Sequence, residues 1–173
     1  VSVRQVSAGR FFSCALSAEG DVRCWGQDNE GQLGDGPDDA ASEAAPVLMQ
    51  PGTTAVSVAT GLNSACAVLN SGAAYCWGLD SSGAVGNGGG SDGTVTEPVL
   101  VAGLDGGTAV VLEVTTGDSQ ACALLNTGAV RCWGAAGSGR LGDGVAGQVN
   151  QFSPVPVSGI DGTQSRAVRL SAG

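Results

Sequence analysis

One signature recurs three times along the chain, as Cys14-Ala15-Leu16 to Cys24-Trp25-Gly26, Cys66-Ala67-Val68 to Cys76-Trp77-Gly78, and Cys122-Ala123-Leu124 to Cys132-Trp133-Gly134. Self-similarity of this length means stacked supersecondary units rather than one irregular domain. The units continue alike: Gly31-x-Leu33-Gly34-x-Gly36 is matched by Gly83-x-Val85-Gly86-x-Gly88 and Gly139-x-Leu141-Gly142-x-Gly144. Pro46, Pro98 and Pro154 each stand 32 residues after the first Cys of their unit. The later units carry four extra residues, which fall between that Pro and the next unit's first Gly. Length variation confined to one stretch predicts a connection there.

Within each signature the residues specify a hairpin. The two cysteines are symmetric about Glu19, Ser71 or Thr127, so the turn has an odd number of residues. In a three-residue turn, Gly20, Gly72 and Gly128 take the last position, where a left-handed backbone is required. Counting outward, Leu16 faces Val22 and Cys14 faces Cys24, all on one face of the ribbon because strand side chains alternate. A directly opposed pair in antiparallel strands lies within reach of a disulfide. The reading is three intra-unit bonds, Cys14 to Cys24, Cys66 to Cys76 and Cys122 to Cys132, each contributing about 2–3 kcal/mol by the chain-entropy model. The alternative is six small buried thiols in a reducing cell. Zinc is disfavoured, since the spacing is not Cys-x2-Cys and the chain has no histidine. Six cysteines in matched pairs point to an oxidising, extracellular or cell-surface compartment.

Composition fits an all-β, loop-rich protein. Thirty glycines in 173 residues exclude long helices, and runs such as 3–6, 56–59, 99–101 and 110–114 alternate with Gly, Ser and Asp clusters. Only seven aromatic residues are present, so Val, Leu, Ala and half-cystines must build a thin core that disulfides reinforce. Seven arginines, no lysine and a net charge of −9 argue against nucleic-acid binding, which needs clustered positive charge. No run of about 18 apolar residues offers a membrane span. The chain starts at Val1 without a methionine or leader, which implies processing or a piece of a longer polypeptide.

The full pattern, Gly-x4-Cys-Ala-[Leu/Val]-x3-Gly-x3-Cys-Trp-Gly-x4-Gly-x-[Leu/Val]-Gly-x-Gly, resembles the repeat of the regulator of chromosome condensation (RCC1) β-propellers, most of all its bacterial, cysteine-bearing version. The resemblance implies one four-stranded blade per repeat around a central channel, with seven blades typical. It divides the chain into a single array: blades at 1–55, 56–110 and 111–165, then the first strand of a following blade at 166–173. Members of the family serve as exchange factors, photoreceptors, enzyme inhibitors and scaffolds, so the fold does not choose a function. Many carry a histidine two residues before the first Cys position, where this chain has Phe12, Ser64 and Gln120; that argues against exchange chemistry. The photoreceptor branch relies on extra tryptophans, and here there are three, one per repeat.

Those tryptophans, opposite the cysteine face, are expected to wedge against an adjacent blade. The acidic run Asp28, Glu30, Asp35, Asp38 and Asp39 is a candidate calcium site, but it lacks EF-hand spacing and its equivalents in the other units lose the charges. The Gly-x-Leu-Gly runs are not phosphate loops, because no Lys-Ser/Thr follows. Without histidine, lysine or a free thiol, the common nucleophile and base pairs cannot be assembled, so no enzyme, cofactor or metal is expected. The units differ most at 37–45, 89–97 and 145–153, which are expected to be exposed loops and the first place to look for recognition. Three blades with one surplus strand leave an open, incomplete ring. Either the chain belongs to a longer secreted propeller, or copies assemble head to tail into a ring or an extracellular filament. The expectation is a non-enzymatic extracellular scaffold that binds a protein or neighbouring copies of itself. The many serines and threonines leave O-glycosylation open.

Overall fold

Each repeat folds into its own four-stranded antiparallel meander. The structure, a computed structural model, describes residues 2–37, 41–90, 93–145 and 149–172, without the side chains of 41 and 42. The first sheet contains β1 (Val3–Ala8), β2 (Phe12–Ser17), β3 (Val22–Gly26) and β4 (Ala41–Pro46). The second contains β5 (Ala55–Thr60), β6 (Ser64–Leu69), β7 (Ala73–Leu79) and β8 (Thr94–Asp105). The third contains β9 (Val111–Thr116), β10 (Gln120–Leu125), β11 (Ala129–Gly134) and β12 (Gln151–Asp161). In every sheet, spatial order is sequence order. Three such meanders, packed face to face, are the blades of an incomplete β-propeller. One three-residue 3-10 turn, Gly137–Gly139, is the only helical element among the described residues.

The central hairpins take the register that the cysteine spacing requires. Leu16 pairs with Val22 and Cys14 with Cys24, and the other two units repeat this. The turn closes with Gly20 at φ +97°, a conformation that a side chain resists. The four extra residues of the later units, read from sequence as connection, are strand instead. β8 and β12 run on to pair Asp105 with Ala73 and Asp161 with Ala129, and Leu104 is fully buried. In the first unit β4 stops at Pro46, and Pro51 in the shorter segment that follows has no N–H to give a ladder.

The core lies between blades. Cys14, Leu16, Val22, Cys24 and Leu33 of the first sheet pack against Val58, Ala65, Ala67, Leu69 and Trp77 of the second. The cysteine face of the second sheet meets Val114, Ala121, Ala123, Leu125 and Trp133 of the third in the same way. Trp77 and Trp133 are fully buried. Their indole Nε1 groups donate to the carbonyls of Gln32 at 3.0 Å and Ala84 at 2.9 Å, both in the glycine turn of the preceding blade. The ring lies flat on that turn because no side chain intervenes: a Cβ on Gly86 would sit 2.6 Å from Trp133.

Asp28 and Asp80 hold the turn from inside. Asp28 Oδ1 accepts from the Leu33 N–H at 2.8 Å, and Asp80 Oδ1 from the Val85 N–H at 2.9 Å. Side-chain to backbone bonds of this kind organise irregular loops. The last glycine of each turn then reaches the next blade, Gly36 N–H to the Thr96 carbonyl at 3.1 Å and Gly88 N–H to Phe152 at 2.8 Å. At the inner edge, Gln5 exchanges two bonds with the Val58 backbone and Ser7 bonds Thr60, which ties β1 to β5.

Residues 166–172 form no strand, since no following hairpin is present to pair with them. They nevertheless take the place beside β9 that β5 takes beside β1. The Leu170 N–H donates to Glu113 Oε2 at 3.0 Å and the Ala172 N–H to Thr115 Oγ1 at 3.1 Å. Gly173 lies outside the described residues.

Two stability measurements follow from this packing. Trp77→Ala should lower the unfolding free energy by about 3–5 kcal/mol, while Trp25→Ala, on an open face, should lower it by less than half as much; urea denaturation followed by circular dichroism compares them. Asp80→Ala should cost about 1–3 kcal/mol, and Asp80→Asn much less, because an amide oxygen still accepts from Val85. Added calcium should move neither midpoint.

Candidate functional site

The cysteines that the sequence singles out are brought together within each hairpin. Cys14 and Cys24, Cys66 and Cys76, and Cys122 and Cys132 form three disulfides with Cα separations of 4.1, 4.0 and 4.0 Å. The first two lie fully buried beneath the next blade, out of reach of an attacking thiolate. Cys122 is half-buried, because no blade covers the third sheet. All three staple register and offer no chemistry while paired.

The acidic run is not gathered into a site. Asp28 is buried and directed to its own turn, and Asp38 and Asp39 lie outside the described residues. Among the described residues, no three His, Cys, Asp or Glu side chains converge. Asp161, fully exposed, titrates below the usual carboxylate range, chiefly because the Thr163 backbone N–H donates to it, with the Thr163 hydroxyl adding a second bond.

The three stretches that vary between units join the third and fourth strands of each blade, on one rim. The hairpin turns around Glu19, Ser71 and Thr127 occupy the opposite rim. Only the first part of each variable stretch is loop. Residues 41–45, 94–97 and 151–153 are already strand, paired with Gly26, Gly78 and Gly134 at register shifts. An outermost strand is held by backbone bonds and tolerates almost any exposed side chain, so sequence variation there conceals the strand. The loop tips 38–40, 91–92 and 146–148 lie outside the described residues.

The two end faces are the largest features that sequence reading did not resolve into residues. On the leading face, Val3 and Val6 are 57% and 61% exposed, whereas their equivalents Ala55 and Val58 are 3% and 1% exposed within the array. With Ala15, Arg23, Trp25 and Ala44 they line an apolar groove of about 350 Å³. On the trailing face, Leu124, Val130, Cys132 and Leu141 form a third cluster, covered only in part by Ala167 and Leu170. A cavity of about 200 Å³ opens beside it, between Ala121, Cys122, Arg140, Leu170 and Ala172. The signal in the sequence was the repeat itself, since Val6, Ala15 and Trp25 are the positions of Val58, Ala67 and Trp77.

Two models of the regulator of chromosome condensation (RCC1) repeat match, one at residues 3–32 and 55–84, the other at 19–68 and 71–124. Among similar proteins, the E3 ubiquitin-protein ligase HERC2 of Homo sapiens is 35% identical over 149 residues, 83% of this chain and 3% of that protein. The ultraviolet-B receptor UVR8 of Arabidopsis thaliana is 32% identical over 171 residues, 96% of this chain and 37% of the receptor. The crystal structure of Prp20p from Saccharomyces cerevisiae superposes with a TM-score of 0.79 at 18% identity, covering 90% of this chain and 38% of that one. The chain thus spans well under half of each of these relatives. Disulfide-bearing meanders, tryptophan wedges on glycine turns and the matched repeats together make this chain a member of the RCC1 repeat family.

Proposed function

We propose that the chain is a non-enzymatic scaffold that binds protein through the loop-bearing rim of its blades, in an oxidising, extracellular or cell-surface setting. The observation that carries this reading is the contrast between rims. Units that repeat their core position by position diverge at 37–45, 89–97 and 145–153, and rigid scaffolds place recognition on such loops. The division of the array at residues 55, 110 and 165, one blade per interval, is part of the proposal.

Several features support it. Prp20p has binding properties towards Gsp1p and histones, so blades of this kind can present protein-binding surfaces. A net charge of −9 favours a protein partner over nucleic acid. Paired cysteines, no histidine and no lysine leave no nucleophile and base, and call for neither a cofactor nor a metal. No helix among the described residues is long and apolar enough to cross a membrane. The three disulfides fit an oxidising compartment. A second reading, a self-assembling subunit of an extracellular filament or tube, is favoured by the two open and mutually complementary end faces.

Both parts of the first reading can be measured. Intact mass after maleimide treatment, on protein isolated from its source without reductant, should show no added label; six labels would remove the oxidising setting. A photo-crosslinking residue at Gly90, on the loop rim, should capture a protein partner from the native medium, and the same residue at Glu19, on the hairpin rim, should not. Equal capture at both positions would sink recognition by the loops.

A further inference from the structure

The contact that joins neighbouring blades is present twice in full, and its two halves are each present once unpaired. Trp77 lies on the turn of Gln32 and Gly34, and Trp133 on that of Ala84 and Gly86. By the same spacing, Trp25 on the leading face has no turn beneath it, and the turn of Arg140 and Gly142 on the trailing face has no ring upon it. We propose that the Trp25 groove receives the Gly139–Gly142 turn of a second copy of this chain, with the Trp25 indole N–H donating to the Arg140 carbonyl. The inference rests on the self-assembling reading and assigns its contact; it is independent of recognition by the loops.

The seat on the trailing face is intact. Gly142 has φ +65°, against +71° for both Gly34 and Gly86, and an added Cβ there would meet only Val157. The Ser158 N–H donates to the Gly142 carbonyl at 2.8 Å, as Leu48 does to Gly34 and Ala102 to Gly86. Leu141 is 1% exposed, beside Leu33 and Val85 at 0%. The wedge side is equally preserved. Ser17 replaces the Leu69 of the inner interface, but its hydroxyl accepts from the Asp21 N–H at 3.0 Å within its own hairpin, so the groove remains apolar.

One strip is contested. Residues 166–172 lie where β1 of the docked copy belongs, and Leu170, Ser171 and Ala172 repeat Val6, Ser7 and Ala8. β1 brings a full ladder to β2, from Val3 with Ser17 to Ala8 with Ser13, whereas 166–172 forms no strand. The docked β1 therefore takes the strip and the terminal segment yields it. Successive contacts are heterologous, so copies add in one direction and close only if the rotation permits.

Multi-angle light scattering across a concentration series tests the contact, on the unreduced full chain. The wild type should rise from one chain mass to two and beyond, and acrylamide quenching of its tryptophan fluorescence should fall as Trp25 becomes covered. Trp25→Ala, and Ala15→Arg as a variant that only crowds the open groove, should remain at one chain mass with unchanged circular dichroism. Assembly that survives both substitutions would overturn the Trp25 contact while leaving self-assembly standing. A wild type monomeric at every concentration would overturn both, leaving the groove to another kind of blade or partner.

Discussion

A single indole resting on a glycine turn holds the array together. No sheet here has a core of its own: the cysteine side of one blade and the tryptophan side of the next complete a hydrophobic layer between them. The indole closes that layer at the rim, supplying most of its aromatic area and satisfying a carbonyl that would otherwise be buried without a partner. That geometry dictates much of the rest. The turn must end in glycine for the ring to approach, and a carboxylate from Asp28 or Asp80 fixes the backbone that presents the carbonyl. Stability in such an array is a sum of blades and of nearest-neighbour contacts, so what the contact does inside the chain it can do at the ends.

The disulfides do a different job. Each closes only ten residues, within a hairpin whose register the turn already sets, so none links one blade to another. Their value lies in a core with seven aromatic side chains in 173 residues, where a cystine fills volume beneath the neighbouring blade and forbids slippage. Staples act within blades and wedges between them.

Much of this was legible in the sequence because repetition turns three weak signals into one strong signal. Hairpin register followed from cysteine spacing and the position of Gly20, and the wedge role of tryptophan from its place opposite the cysteine face. The outer strands were not legible. β4, β8 and β12 pair through backbone groups, bulge against the glycine after each tryptophan, and expose side chains that nothing constrains, so 41–45 and 151–153 read as loop. The partners of the turns, Thr96 and Phe152, were equally hidden, since each contributes only a carbonyl. The acidic run around Asp28 suggested an ion; burial turned its first carboxylate inward to a backbone N–H.

The third unit shows how far the turn can drift when no tryptophan of the same chain presses on it. Ala136 stands where Asp28 and Asp80 cap the other turns, and a short 3-10 segment with Ser138 at φ +62° replaces the capped loop. Asn150 reaches in from the start of the outer strand and accepts from the Ala136 N–H at 3.2 Å, holding the turn from outside. The first half of the turn has thus changed its support, whereas the second half, Leu141 with Gly142, keeps the burial and the backbone bond of its two counterparts. A turn of no further use as a seat would have no physical reason to keep a left-handed glycine there, because a Cβ at 142 would be crowded by Val157 alone. Retention of the seat after loss of its carboxylate brace is what an arriving ring, rather than the chain's own interior, would require.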